Sequence, residues 1–181
     1  MKEPNWKNCT EKEMWQYVAH HLAKNGIDTI LVGGAVVAIY TDGAYRSGDL
    51  DLVMVSLLRE RLPEVMAKIG FNKSESRHYS HPKCKHLIID FASPPAAIGD
   101  DYTIKPAEVK VDGEIIFFFQ AEDCIRDRLA SFIHFKAREC LDQAVMVAQA
   151  HPFDLKKVKS WCLTEGGKGE LEEFLKKLGK S

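Results

Sequence analysis

A short segment in which aspartate and leucine alternate constrains the fold of this chain most strongly. Residues 48–53 read Gly-Asp-Leu-Asp-Leu-Val. Because side chains alternate between the two faces of a strand, Asp49 and Asp51 project from one face, and Leu50 and Leu52 enter a core on the other. Two such carboxylates repel each other unless a cation lies between them, and their hard oxygens suit Mg²⁺ or Mn²⁺. Alone, the pattern favours a plainer interpretation, in which the strand end reaches solvent with two exposed aspartates.

Two further features of the sequence are also suited to binding a phosphate or a metal ion. A glycine pair, Gly33 and Gly34, comes after the apolar run 29–32 and before a helix-forming segment. Such glycines let backbone N–H groups approach a phosphate, although an isolated pair is more typical of a tight turn without a ligand. Asp90 is a single acid within the apolar run 87–91, where burial is costly unless the acid is paired or metal-bound. The chain has no Gly-x-Gly-x-x-Gly or Walker A pattern, which argues against Rossmann and P-loop sites.

The rest of the chain predicts an α+β fold. A capping box at Thr10 and Glu13 starts a first helix, strands and helices then alternate, and the period is helical from about residue 120. We therefore expect a mixed β-sheet flanked by helices in residues 1–119 and a C-terminal helical subdomain in residues 120–181. The predicted strands cover residues 29–32, 50–55, 86–92, 108–111 and 114–119, with an edge strand within 71–79. The later helices are predicted over residues 35–40, 58–69 (starting near 62), 121–150 (as one helix or two), 154–163 and 169–178.

Composition excludes several classes of protein. Of the 181 residues, 45% are hydrophobic and 28% are charged, which is typical of a globular protein and not of a disordered or collagen-like chain. The net charge of −1 argues against coating of nucleic acid by bulk electrostatics. The sequence shows no apolar leader and no membrane-length apolar run, and its five cysteines are scattered. These features predict a cytoplasmic protein with reduced thiols and no membrane contact.

Charge is nevertheless distributed unevenly along the chain. Residues 59–86 contain seven Lys or Arg, whereas residues 90–123 contain eight Asp or Glu. Such neighbouring segments can hold a polyanion against metal-binding carboxylates. Two solvated faces of opposite sign are the more common outcome, and both interpretations stay open.

Taken together, these motifs resemble a known superfamily. Apolar residues before Gly33-Gly34, then Ser47-x-Asp49-Leu50-Asp51-Leu52, then a later strand with a single aspartate, resemble the DNA polymerase β-type nucleotidyltransferases. The similarity is to the small bacterial group that includes the minimal nucleotidyltransferases and the abortive-infection toxin nucleotidyltransferases. It covers about residues 29–91, and the later helices resemble the helical tail of this family more loosely.

The resemblance implies a metal-dependent transfer of a nucleoside monophosphate from an NTP to an acceptor, with release of pyrophosphate. By position, Asp49, Asp51 and Asp90 would hold Mg²⁺ or Mn²⁺, and Asp90 would also help to activate the acceptor hydroxyl. The acceptor could be an RNA such as tRNA, a protein or a small molecule. For Arg128 and Lys136, a solvated helix face is an equally good interpretation. The residues that would contact the nucleotide are Gly33, Gly34, Arg46, Ser47, Arg128 and Lys136.

Two other interpretations stay open. One is a module of the same fold that binds a nucleotide or a partner without turnover, as in a toxin–antitoxin or defence system. The other is a zinc site, because His78, His81, Cys84 and His86 place four soft or borderline donors within nine residues. Their spacing matches no common zinc knuckle, and a loop that touches phosphate or RNA, or a solvated loop, has the same composition.

Overall fold

The computed structural model describes residues 1–56, 58–74 and 77–180. In these ranges the chain forms seven α-helices and one seven-stranded sheet, which confirms the predicted α+β class. The helices are α1 (Glu11–Ala23), α2 (Gly34–Tyr40), α3 (Leu62–Lys68), α4 (Ala121–Phe135), α5 (Arg138–Ala150), α6 (Leu155–Thr164) and α7 (Lys168–Leu178). The strands are β1 (Thr29–Val32), β2 (Asp49–Met54), β3 (Asn72–Lys73), β4 (His78–Ser80), β5 (Ile88–Ala92), β6 (Ala107–Val111) and β7 (Glu114–Phe118).

The sheet is mixed, with the strand order β3-β4-β5-β2-β1-β7-β6. β2 runs parallel to β5 and β1 runs parallel to β7, whereas the other neighbouring strands are antiparallel. The aspartate-leucine strand β2 therefore lies inside the sheet, between β1 and β5. Because it pairs on both sides, its backbone register determines where its aspartates stand.

The two faces of β2 have different surroundings, as the alternation predicts. Leu50 and Leu52 are fully buried on one face. α1 packs across this face, where the ring of Trp15 lies 5.0 Å from that of Phe118 on β7. The main core is formed between this face and the helices, and the aspartates of β2 project from the opposite face.

Helices α1 and α3 begin where local chemistry requires. The amide of Glu13 donates to Thr10 Oγ1 (3.2 Å) and the amide of Thr10 donates to Glu13 Oε2 (2.8 Å), which forms the predicted capping box. A 3₁₀ turn, Arg59–Arg61, precedes α3. α3 begins at Leu62 with Pro63 in its first turn, because proline lacks the N–H that an inner turn needs.

Several predicted elements are shorter or divided. The edge strand predicted within residues 71–79 is two short strands, β3 and β4, and residues 75 and 76 of that segment lie outside the described ranges. The strand predicted from residue 86 begins at Ile88. The helical stretch predicted over residues 121–150 is two helices, because Lys136 adopts a left-handed conformation (φ 56°) that ends α4.

The C-terminal helices pack beside the sheet core. α4 and α5 contact each other, and both contact α2. α4 begins at Ala121, next to the predicted boundary after residue 119. The division of the chain into two domains at this boundary stays a prediction.

The helices and the cysteines of the structure bear on the predicted lack of membrane contact and on the predicted reduced thiols. No helix in the described part of the chain is long and apolar enough to cross a membrane. All five cysteines are buried free thiols, and burial raises the pKa of Cys9 to about 12, which makes it an inert thiol at neutral pH. The cytoplasmic location stays a prediction.

Candidate active site

Three carboxylates project from the face of the sheet opposite the main core. Asp49 and Asp51 lie two residues apart on β2, and Asp90 of β5 stands directly beside Asp51 in the parallel register. Paired residues of neighbouring strands share a face, so all three side chains project to the same side. Asp49 is exposed, Asp51 is half-buried and Asp90 is buried. Asp51 is therefore the centre of the cluster.

The electrostatics of Asp51 reflect this crowding. Burial, together with the neighbouring charges of Asp49 and Asp90, raises the pKa of Asp51 to about 6, although Arg128 acts in the opposite direction. A half-buried carboxylate beside two others is stabilised by any cation that enters the cluster. The cluster thus has the charge and the oxygen donors that a divalent cation prefers.

The glycine pair is required by the carboxylates themselves. Gly33 has φ +73°, and a Cβ at this position would overlap the carboxylate of Asp51. A Cβ at Gly34 would stand 2.9 Å from Ser47 Oγ, which is closer than real Cβ contacts. The backbone of this turn can therefore approach the carboxylate cluster only because both residues lack a side chain.

The substitution Gly33→Ala tests this close approach. We expect the free energy of unfolding to fall by about 2–4 kcal/mol, because a left-handed alanine is strained and its methyl group displaces Asp51. Urea denaturation measures the change. Gly43→Ala is the matched control, since Gly43 has φ +80° but open space around it, and it should lose only about 1–2 kcal/mol from backbone strain. Equal losses of unfolding free energy in the two variants would show that the contact with Asp51 makes no contribution.

A buried glutamate holds the loop that leads into β2. Ser47 Oγ donates to Asp49 Oδ1 (3.0 Å), and the Ser47 amide donates to Glu11 Oε1 (2.8 Å). Arg46 Nε donates to the same Glu11 oxygen (3.1 Å), and Glu11 is only 2% exposed. Glu11 of α1 therefore positions Ser47, which in turn orients the carboxylate of Asp49.

The substitution Glu11→Ala should affect both stability and cation binding. It leaves the buried amide of Ser47 without its acceptor, and we expect a loss of about 1–3 kcal/mol in unfolding free energy. Mn²⁺ binding, followed by electron paramagnetic resonance, should weaken because Asp49 loses its orientation. Glu13→Ala, which removes the exposed carboxylate that accepts from the Thr10 amide two residues away, should cost about 1 kcal/mol and leave Mn²⁺ binding unchanged. If both variants bind Mn²⁺ alike, Glu11 has no positioning role.

The three cationic side chains that the sequence predicts as nucleotide contacts lie in different parts of the structure, and Arg128 belongs to a network between α4 and α5. Arg128 of α4 donates to Asp127 Oδ2 (2.6 Å) and to Gln143 Oε1 of α5 (3.4 Å). Gln143 Nε2 donates to the hydroxyl of Tyr45 (3.1 Å). A Cβ at Gly34 would stand 3.4 Å from this hydroxyl and 2.9 Å from Ser47 Oγ, so the network borders the carboxylate cluster, where Arg128 lowers the pKa of Asp51.

Arg46 and Lys136 are paired elsewhere. Arg46 is bound to Glu11 and is about half exposed, so it lies at the edge of the cluster. Lys136 follows Arg128 by eight residues, which is about 12 Å along a helix, and its amine pairs with Glu170 of α7 (2.6 Å). The nucleotide contacts predicted for both residues stay predictions.

The third carboxylate already has a cationic neighbour. Arg77 Nε lies 2.7 Å from Asp90 Oδ1, and His78 Nε2 lies 3.7 Å from the same oxygen. Within the described ranges no aligned hydrogen bond reaches this oxygen, so the contact with Arg77 is an ion pair of imperfect geometry. The negative charge of Asp90 therefore stands uncompensated beside the cluster only when Arg77 moves away.

The four donors of the predicted zinc site serve separate contacts. The ring of His81 stacks on Trp6 at 3.9 Å. His86 Nε2 lies 2.8 Å from the carbonyl oxygen of Cys9, and Cys84 Sγ lies 3.7 Å from His86 Nδ1. With His78 beside Asp90, the structure does not bring the four donors to one point.

A divalent cation still fits part of the carboxylate cluster. Among the described residues, no group of three or more His, Cys, Asp or Glu side chains is arranged to hold a metal ion. Asp49 and Asp51 nevertheless supply neighbouring oxygens, and the raised pKa of Asp51 marks a shortage of positive charge there. The pair fits a hard cation that retains waters or phosphate oxygens. Asp90 would complete the site after releasing Arg77.

Comparison with solved structures identifies the fold. The chain is similar to an antigenic nucleotidyltransferase-like protein from Paracoccidioides brasiliensis, with a TM-score of 0.64 and 16% identity over 97% of this chain and 96% of the other. It is also similar to the solution structure of the antibiotic-resistance factor ANT(2'')-Ia, with a TM-score of 0.59 and 11% identity over 90% of this chain and 94% of the other. A crystal structure of ANT(2'')-Ia in complex with adenylyl-2''-tobramycin is also similar, with a TM-score of 0.56 and 11% identity over 86% of this chain and 97% of the other. The chain matches no protein-family model and no curated protein.

These likenesses define a nucleotidyltransferase fold. The resemblance drawn from the sequence motifs is thereby confirmed at the level of the fold, and the carboxylate cluster lies on the strands that carried those motifs. The roles of the individual site residues stay predictions. The sequence interpretation missed several residues that the structure places at the cluster, and they are Glu11, Tyr45, Arg77, Asp127 and Gln143.

Proposed function

We propose that the protein is a divalent-metal-dependent nucleotidyltransferase, which moves a nucleoside monophosphate from an NTP to an acceptor hydroxyl. The observation that carries the proposal is the placement of Asp49, Asp51 and Asp90 on one face of neighbouring strands, beside the Gly33 turn, in a chain with a nucleotidyltransferase fold. A structural role alone does not explain why three carboxylates should crowd together and raise the pKa of Asp51.

The residues of the chain have distinct roles in this proposal. Asp49 and Asp51 would hold the metal, which when bound supplies positive charge to the attacking and leaving oxygens of an in-line displacement. Asp90 accepts the proton of the acceptor hydroxyl. The backbone at Gly33 admits the triphosphate close to the carboxylates, and Arg128 balances the charge of the departing pyrophosphate.

The acceptor is the open part of the proposal. The neighbour ANT(2'')-Ia was crystallised with adenylyl-2''-tobramycin, which makes a small-molecule hydroxyl one candidate for this chain. An RNA end and a protein side chain are the others, and the net charge of −1 favours a local contact with RNA over a long footprint.

A transfer assay tests the proposed reaction. Each of the four NTPs, labelled at the α-phosphate, is incubated with Mg²⁺ and with separate pools of tRNA, protein and aminoglycosides. The expected result is transfer of label to one pool with matching release of pyrophosphate, both abolished by EDTA and by Asp49→Asn/Asp51→Asn. Transfer that persists in this variant would contradict the assignment of the site.

A catalytically silent nucleotide-binding module is the second candidate. The ion pair between Arg77 and Asp90 favours it, because a neutralised third carboxylate is a poor base. This candidate predicts NTP binding with no transfer to any pool, and no gain of transfer when Arg77→Gln frees Asp90.

A further inference from the structure

A concave site lies beside β5, the strand that carries Asp90. It is a cavity of about 210 Å³ at the carboxyl ends of β2 and β5, bounded by the 3₁₀ turn and the start of α3. Its floor includes the rings of Tyr79 and Phe91, which meet edge to face at 5.4 Å. A complete small-molecule site usually has about 300–1,000 Å³, so this cavity is suited to a single chemical group. The residues that line it are Met54, Arg59, Leu62, Pro63, Lys73, Arg77, Tyr79, Phe91, Ala92 and Ser93.

The described residues that line this cavity carry charge of one sign. Three cationic side chains, Arg59, Lys73 and Arg77, stand on its rim, and no carboxylate is among the described residues that line it. All three are exposed, and neither Arg59 nor Lys73 forms an ion pair with a side chain in the described ranges. Asp90 compensates the charge of Arg77, whereas Arg59 and Lys73 face each other around a small volume, and a bound anion reduces their repulsion. Arginine and lysine in this arrangement are typical partners of a phosphate group.

Arg77 connects this cavity with the carboxylate cluster. Arg77 is one of the residues that line the cavity, and its Nε lies 2.7 Å from Asp90 Oδ1. Because that oxygen receives no aligned hydrogen bond from a described residue, an anion in the cavity can compete with Asp90 for Arg77. When Arg77 turns toward the anion, the negative charge of Asp90 beside Asp51 is no longer compensated.

We propose that this cavity binds a phosphate group, and that its occupation draws Arg77 away from Asp90 and completes the cation site. The coupling to the cation site rests on the proposed function, whereas the phosphate site itself does not. By linkage, a phosphate that binds in this way and a divalent cation at the cluster strengthen each other's binding. Catalysis would then be enabled by a phosphorylated ligand that is separate from the NTP.

Binding of glycerol phosphate, a phosphate monoester, tests the site. The shifts of the arginine Nε–H signals locate the ligand in wild-type protein, and Arg59→Gln/Lys73→Gln should weaken its binding by about tenfold or more. The matched control Arg61→Gln/Lys68→Gln removes two exposed cations of the same segment outside the cavity and should change binding by no more than about twofold. A dinucleotide with one phosphodiester, tested in parallel, shows whether a nucleic-acid phosphate is an alternative source. Equal affinities of the two double variants would overturn the proposal.

The coupling is measured without any turnover. Mn²⁺ binding by electron paramagnetic resonance should strengthen about fivefold or more when glycerol phosphate is saturating. Arg77→Gln should show the strengthened Mn²⁺ binding without the ligand and no further gain with it. If wild-type protein binds Mn²⁺ with the same affinity in the presence and in the absence of glycerol phosphate, the proposed coupling is wrong. Loss of NTP transfer with an intact phosphate site would instead count against the proposed function alone.

Discussion

Replacing Asp51 with asparagine should abolish nucleotide transfer and stabilise the folded protein at the same time. Transfer should fall by about a thousandfold or more, because a group that places charge at the reacting phosphate is lost. Stability should rise at pH 7 by about 1–3 kcal/mol, because burial and the charges of Asp49 and Asp90 raise the pKa of Asp51 to about 6 and the variant no longer carries that crowded charge.

The pH dependence follows from the same pKa. Between about pH 4 and pH 6, Asp51 binds a proton in the folded state but not in the unfolded state. Stability in wild-type protein should therefore fall as the pH rises through this window, and then level off above it. In Asp51→Asn this decline should disappear.

Urea denaturation at pH 4.5 and pH 7, with the transfer assay beside it, measures both effects. Asp49→Asn is the matched control, since it removes an exposed carboxylate of the same strand. It should lose transfer but gain less stability than Asp51→Asn, because it removes one exposed charge that repels Asp51 and leaves the half-buried carboxylate in place. If Asp51→Asn is less stable than wild-type protein at pH 7, repulsion within the carboxylate cluster does not destabilise the folded state.

Replacing Arg126 with alanine should give the largest loss of stability, about 3–5 kcal/mol. Arg126 of α4 is only 3% exposed. Its guanidinium donates to Asp101 Oδ2 (2.7 Å) and to Asp123 Oδ1 (2.5 Å), and it stands 5.9 Å from the ring centroid of Trp161. Removal of the cation leaves the buried Asp123 without its partner, which is more costly than the loss of an exposed pair.

The arginine at 138 provides the control for this effect. Arg138 pairs with Glu173 at 2.7 Å, but both side chains are largely exposed, so Arg138→Ala should cost no more than about 1 kcal/mol. In wild-type protein the hydrogen bonds from Arg126 and Thr103 lower the pKa of Asp101 to about 2. That contribution is present above about pH 4 and is lost as the pH falls toward 2, and Arg126→Ala should reduce this acid sensitivity. Similar thermal midpoints for the two variants would contradict the buried network.

Local patterns were sufficient to predict much of the fold. The alternation in β2 predicted that Leu50 and Leu52 enter the core, and a capping box predicted the start of α1. Pro63 indicated where α3 begins. These features depend on neighbouring residues only, so they can be inferred from the chain alone.

The missing parts of the site depend on contacts between distant residues. Glu11 has the sequence signature of an acid in the first turn of a helix, and nothing nearby indicates that it accepts hydrogen bonds from the loop before β2. Arg77 reaches Asp90 only because β4 pairs with β5. Asp127 adjoins Arg128, one of the predicted nucleotide contacts, but its electrostatic effect on Asp51 follows from the docking of α4. Such pairings arise from strand order and helix packing, which local periodicity does not specify.

A calorimetric titration of each NTP with Mg²⁺ into wild-type protein and into Asp49→Asn/Asp51→Asn tests the central claim most directly. We predict that one NTP binds wild-type protein only when Mg²⁺ is present, and that the double variant does not bind it although it is folded. Binding of equal strength to both proteins, or no binding of any NTP at millimolar concentration with Mg²⁺ or Mn²⁺, would contradict a metal-dependent nucleotide site at these carboxylates.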